Sequence, residues 1–69
     1  MKIKTLSERL KMLRMEKQMT QKELAKIANV SQNAITRWEN GKSLPNTLAI
    51  IRISKFFHIS IDYLLGFKE

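Results

Sequence analysis

Cysteine is absent from the 69 residues, and histidine occurs once, as His58. Those shortages exclude a disulfide framework and a cysteine-based zinc site, and one histidine is too few to found a structural zinc site. The lack of cysteine is compatible with a reducing compartment. Proline occurs once and glycine twice, so no Pro/Gly-rich linker divides the chain and no glycine-rich loop exists to cradle a phosphate. No apolar run approaches the roughly 18–20 residues of a membrane-spanning helix. The basic start Met1-Lys2-Ile3-Lys4 is not followed by the hydrophobic stretch of a secretory signal. Acidic side chains are scarce as well: 6 Asp and Glu face 13 Lys and Arg, a net charge of +7. In a chain this small, that excess favours nucleic acid, a membrane surface or an acidic protein as partner.

Hydrophobic residues make up 43% and charged residues 28%, which places the chain among folded domains rather than disordered segments. Its length suits one domain, residues 1–69, with no internal repeat. A core of this size has little stability in reserve, so caps and close packing must carry the fold.

Helical periodicity dominates. Leu6, Leu10 and Leu13 fall at i, i+4 and i+7 and predict a first helix from Thr5 or Ser7 to about Gln18. Arg14 lies at the edge of that apolar stripe. Thr20-Gln21-Lys22-Glu23 is a capping-box sequence and predicts the start of a second helix, with Leu24, Ile27 and Ala28 on its inner face. Asn29 tolerates the left-handed backbone that ends helices, Val30 tucks inward, and Ser31 caps the next helix. The third helix is expected over 32–40, with Ile35 and Trp38 inward and Gly41 after its end. Gln32, Asn33, Thr36, Arg37 and Asn40 share the opposite face, which is rich in hydrogen-bonding groups and low in net charge. Such a face is either ordinary solvated surface or a surface that reads a partner. Asn46 caps a fourth helix over about 47–57, with Ile50, Ile53, Ser54 and Phe57 as its core stripe. Ser60 caps a fifth, anchored by Ile61, Leu64 and Leu65 and ended by Gly66. No alternating strand pattern appears. The expected fold class is all-α, with five short helices, and two of them joined by a tight turn match a helix-turn-helix.

The segments TQKELAKIANVSQNAITRWENGK, the following Pro45 and ISKFFHISIDYLL resemble the lambda-repressor/Cro-like (XRE-type) helix-turn-helix family, over about residues 6–65 with the motif at 20–41. The resemblance implies a compact five-helix domain that binds duplex DNA as a dimer. Helix three would enter the major groove, where such helices meet base edges with residues near their N-terminus. By position, Gln32 and Asn33 become base readers, with Thr36 and Arg37 one turn on. An Asn or Gln amide matches adenine N6 and N7, and arginine matches guanine O6 and N7. Thr20, Gln21, Ser31, Asn40, Lys42 and Ser43 correspond to contacts to the DNA backbone, Ser31 alternatively to a base methyl. Arg14 and Glu39 correspond to an ion pair between helices one and three, and His58 to a position often held by glycine.

The implied function is a transcriptional regulator, foremost a repressor occluding a pseudo-palindromic operator in a bacterial or phage-encoded, cytoplasmic, nucleoid-associated setting. An antitoxin or controller protein of the same fold, or an interaction module without DNA binding, are the alternatives. No cofactor, metal, small-molecule ligand or membrane partner is expected. Dimerisation is expected, weakly, through residues 59–67, unless the chain is the amino-terminal part of a longer repressor. Catalysis is not expected: Ser54, His58 and Asp62 are spaced like a triad, but the segment breaks between two helices near Ser60.

Overall fold

The computed structural model describes the backbone of residues 3–67 and the side chains of residues 5–67. The first two residues of the basic start, Met1 and Lys2, and the chain end Lys68-Glu69 lie outside the described residues. Five helices follow one another: α1 (Ile3–Glu16), α2 (Gln21–Ala28), α3 (Gln32–Glu39), α4 (Thr47–Phe57) and α5 (Ile61–Leu65). The described residues contain no strand.

Local chemistry sets the boundaries. Thr20, Ser31, Asn46 and Ser60 each hold an extended backbone and accept an N–H three residues further on. Each thereby satisfies a donor that the first helical turn leaves without a partner. Asn29 and His58 close α2 and α4 in the left-handed region, at φ 59° and 56°. Asparagine and histidine enter that region at lower cost than most non-glycine residues.

The core draws on every helix. The six fully buried large side chains are Leu6, Leu10, Leu24, Ile35, Ile53 and Leu64, at least one from each element. Burying each contributes about 1.5–3 kcal/mol relative to exposure, so no helix is a dispensable appendage. Ala25, Ala28 and Ala49 are buried too, and these small side chains let α2 approach α3 and α4 closely. Helix α1 packs against α3 and α5.

Two elements differ from expectation. Helix α1 starts at Ile3, ahead of Thr5 and Ser7. The reason is tertiary: Thr5 lies under the α5 end, where a Cβ on Gly66 would approach its Cγ2 to 3.1 Å. One turn on, the Arg9 guanidinium stacks 4.2 Å from the Tyr63 ring centre and donates to the Tyr63 carbonyl. The early turns of α1 therefore have a surface to fold against. In α5, Leu64 is buried but Ile61 is 38% exposed. Ile61 shares the angular face of Leu64 and Leu65, so its exposure comes from its place at the start of this five-residue helix and not from its facing.

Candidate nucleic-acid interface

The α2–turn–α3 unit is defined at both ends by backbone capping. Thr20 N–H donates to Glu23 Oε1 at 2.8 Å, and Glu23 N–H donates to Thr20 Oγ1 at 3.0 Å. The Thr20 backbone N–H, followed by the Thr20 hydroxyl, holds the Glu23 carboxyl below the usual glutamate range. At the turn, Val30 N–H reaches back to the Ala25 carbonyl at 3.0 Å, and the Val30 side chain packs against the core. Ser31 Oγ then accepts from Ala34 N–H at 3.2 Å. In both caps the hydroxyl oxygen is the acceptor of a first-turn N–H.

Helix α3 divides sharply between two faces. Ala34, Ile35, Trp38 and Glu39 are buried. Gln32, Asn33, Arg37 and Asn40 are exposed, and Thr36 is half-buried between the two faces. Side chains at 32, 33, 36, 37 and 40 recur with helical period and share one side.

A charged residue on the inner face is costly unless paired, and Glu39 is paired thoroughly. Its side chain is 2% exposed. Arg14 Nε donates to Oε2 at 2.7 Å and Nη2 to Oε1 at 3.1 Å, while Nη1 donates to the Met19 carbonyl at 2.7 Å. One guanidinium thus ties α1 to α3 and to the segment leading into α2. The hydrogen bonds to Glu39 raise the Arg14 pKa, against the opposing effect of burial. Gln21 joins the same carboxylate: its Nε2 donates to Glu39 Oε1 at 3.1 Å. The Gln21 carbonyl oxygen accepts from the Thr36 hydroxyl at 2.8 Å, which also lies 3.2 Å from the Gln32 carbonyl.

After α3 the chain turns at Gly41, φ 71°, and Lys42 N–H returns to the Arg37 carbonyl at 2.9 Å. Lys42 is exposed, and Ser43 is half-buried with its hydroxyl oxygen shielded and without a hydrogen-bond partner. Of the residues read as groove or backbone contacts, Thr20, Ser31, Gln32, Asn33, Arg37, Asn40 and Lys42 stand on the surface. Gln21, Thr36 and Ser43 are set deeper, and the first two are engaged within the protein. Sequence reasoning missed that engagement. Gln21, Thr36 and Glu39 sit 15 and 18 positions apart in the pairs they form, and no local pattern signals a contact across such a gap. The lysine of α1's end, Lys17, lies with Nζ 5.7 Å from the Phe56 ring centre.

A family model described as helix-turn-helix matches residues 10–64, most of the chain and all of this unit. The chain belongs to the Cro/C1-type helix-turn-helix family. It is 46% identical over 63 residues to the HTH-type transcriptional activator BcrR of Enterococcus faecalis, covering 91% of this chain and 31% of that protein. It is 35% identical over 65 residues to the HTH-type transcriptional regulator ImmR of Bacillus subtilis, covering 94% and 51%. The chain therefore spans about a third to a half of the length of these relatives. Among solved structures, the P22 c2 repressor in complex with a synthetic operator superimposes with a TM-score of 0.81 at 34% identity, covering 86% of this chain and 89% of that one.

Proposed function

We propose that this chain is a transcriptional regulator that binds duplex DNA at defined sequences, with α3 lying in the major groove. One observation carries the reading. Gln32, Asn33 and Arg37 are exposed on one face of a short helix whose other face is fixed by apolar packing and by the Arg14–Glu39 pair. Side chains that read base edges must be presented at a set angle, and this arrangement supplies one. The likeness to a repressor solved on an operator supports it, as does the charge of +7.

Within that reading the labour is divided. Gln32 and Asn33 offer amide donor–acceptor pairs to adenine, and Arg37 offers its fork to guanine or phosphate. Thr36 stands on the edge of the same face with its hydroxyl turned to Gln21. Thr20, Gln21, Ser31, Asn40, Lys42 and Ser43 serve the sugar–phosphate backbone, which sets register without carrying sequence information. The regulator acts as a homodimer joined through residues 59–67, where Ile61 and Phe67 expose apolar surface. Two recognition helices about 34 Å apart then meet successive half-sites of a pseudo-palindrome. A dimer placed over a promoter represses by occlusion, in the cytoplasm and without a small-molecule ligand.

Selection from a randomised duplex pool tests this directly. The expected result is an enriched, two-fold-symmetric site that the protein protects in a footprint. A reporter with that site laid over its promoter should be repressed. Enrichment of no sequence by folded protein in excess would sink the reading; a reporter driven upward would reverse the sign of regulation and leave DNA binding intact.

A further inference from the structure

The hydrogen bonds around Gln21 have a direction that goes beyond a structural ion pair. An amide presents nearly the same shape with its oxygen and nitrogen exchanged, so its orientation is set only by its partners. Here both partners agree. The Glu39 carboxylate can only accept, and it takes the Gln21 Nε2 proton at 3.1 Å. The Thr36 hydroxyl donates to Gln21 Oε1 at 2.8 Å. Arg14 holds the Glu39 carboxyl in place through two bonds of its own. A flipped amide would set its oxygen against the carboxylate, two acceptors with no proton between them. The chain of bonds therefore runs one way, from Thr36 through Gln21 to Glu39.

We propose that Thr36 is a positioning residue: its hydroxyl, acting with Glu39, locks the Gln21 amide so that the remaining Nε2 proton is offered to DNA phosphate, which makes the recognition helix set the grip of α2 on the backbone. The proposal rests on the DNA-binding reading above. It also separates Thr36 from its neighbours on α3. The hydroxyl has one proton, and that proton lies between Gln21 Oε1 and the Gln32 carbonyl, so none is left to donate to a base. Gln32, Asn33 and Arg37 carry the sequence preference, and Thr36 carries uniform affinity through Gln21.

The test uses the whole chain, the duplex enriched by the wild-type protein and a scrambled duplex of equal length. Thr36→Val keeps the side-chain shape and removes the donor. It should weaken both duplexes by the same factor, roughly threefold to tenfold, as expected for losing one oriented hydrogen bond. Thr36→Ser should restore binding. In a Gln21→Ala background, Thr36→Val should add nothing, because the group it positions is gone. A separate measurement reads the lock without DNA: the Gln21 side-chain amide signals in the NMR spectrum of the free protein should stand apart from those of exposed Gln32, and move towards them in Thr36→Val. A changed ratio between the two duplexes in Thr36→Val would overturn the proposal and make Thr36 a base reader; penalties that multiply with Gln21→Ala would overturn it by showing that Thr36 acts independently of Gln21. Unmoved amide signals would overturn the lock and leave DNA binding standing. Failure of the wild-type chain to enrich any duplex would instead overturn the DNA reading, and the binding half of the proposal with it.

Discussion

Glu39 is nearly sealed from solvent, and its two oxygens accept from Arg14 and Gln21. A buried ion pair of this kind is a modest source of stability when whole and a large liability when broken, because the survivor stays buried and unpaired. Arg14→Ala should therefore cost about 3–5 kcal/mol, a large part of what a domain of this size possesses, measured by denaturant unfolding. Replacing Arg14 and Glu39 together with leucine should recover most of that loss while loosening the angle of α3. On the outer face the expected effects are on recognition instead. Gln32→Ala should reduce discrimination between the enriched duplex and random DNA by about 1–3 kcal/mol with the fold unaffected. Gln21→Ala should weaken both duplexes alike. An unchanged discrimination in Gln32→Ala would show that sequence is read elsewhere on α3.

The helices are short, and short helices depend on their ends. At α2 the capping box joins Thr20 and Glu23, with Glu23 held below the ordinary glutamate range by the Thr20 N–H and hydroxyl. A carboxyl whose folded-state pKa is depressed contributes stability above its unfolded value, about 4.3 for glutamate. That contribution is lost as the pH falls through the lower folded value. Thermal melts between about pH 2 and 7 should show the wild type losing more stability on acidification than Glu23→Gln, which keeps the cap without a titrating group. Parallel curves would remove the cap from the list of acid-sensitive bonds. Element boundaries were largely legible because these caps are local chemistry: Thr20, Ser31, Asn46 and Ser60 each act within three residues of themselves. The start of α1 was not legible, since Thr5 and Arg9 are held by α5, more than fifty positions away.

Charge and exposed apolar surface act on the whole molecule. With a net charge of +7, binding to duplex DNA should weaken steeply with salt, the logarithmic slope counting phosphates neutralised at about 0.9 each. Lys42→Ala should lower that slope by about 1 and leave the selected sequence unchanged. The proposed dimer places Ile61 and Phe67, 38% and 64% exposed, at the contact between copies. Ile61→Asp should leave the monomer folded and convert cooperative occupation of the symmetric site into independent half-site binding, read by sedimentation with and without the enriched duplex. Retained cooperativity would move the dimer contact elsewhere. Ile61 was expected to be a core anchor, and its exposure is what makes it available for this role.

Hydrophobic spacing and capping residues by themselves determined that this chain is five helices, where four of them begin, and which residues face out from α3. Those properties are encoded by neighbours within one or two turns, although helices this short persist only when packed into the core. Only the tertiary structure decided what Gln21 and Thr36 hold, because their partners arrive from another helix across 15 and 18 positions. It likewise decided that Arg14 bonds both Glu39 and the Met19 carbonyl. Hydrogen bonds need geometry within a few tenths of an ångström, and that precision exists only once the core has brought α1, α2 and α3 together. The stretch that reads as two helices and a turn is a unit in which apolar packing is joined by one buried carboxylate that binds Arg14 and Gln21 together.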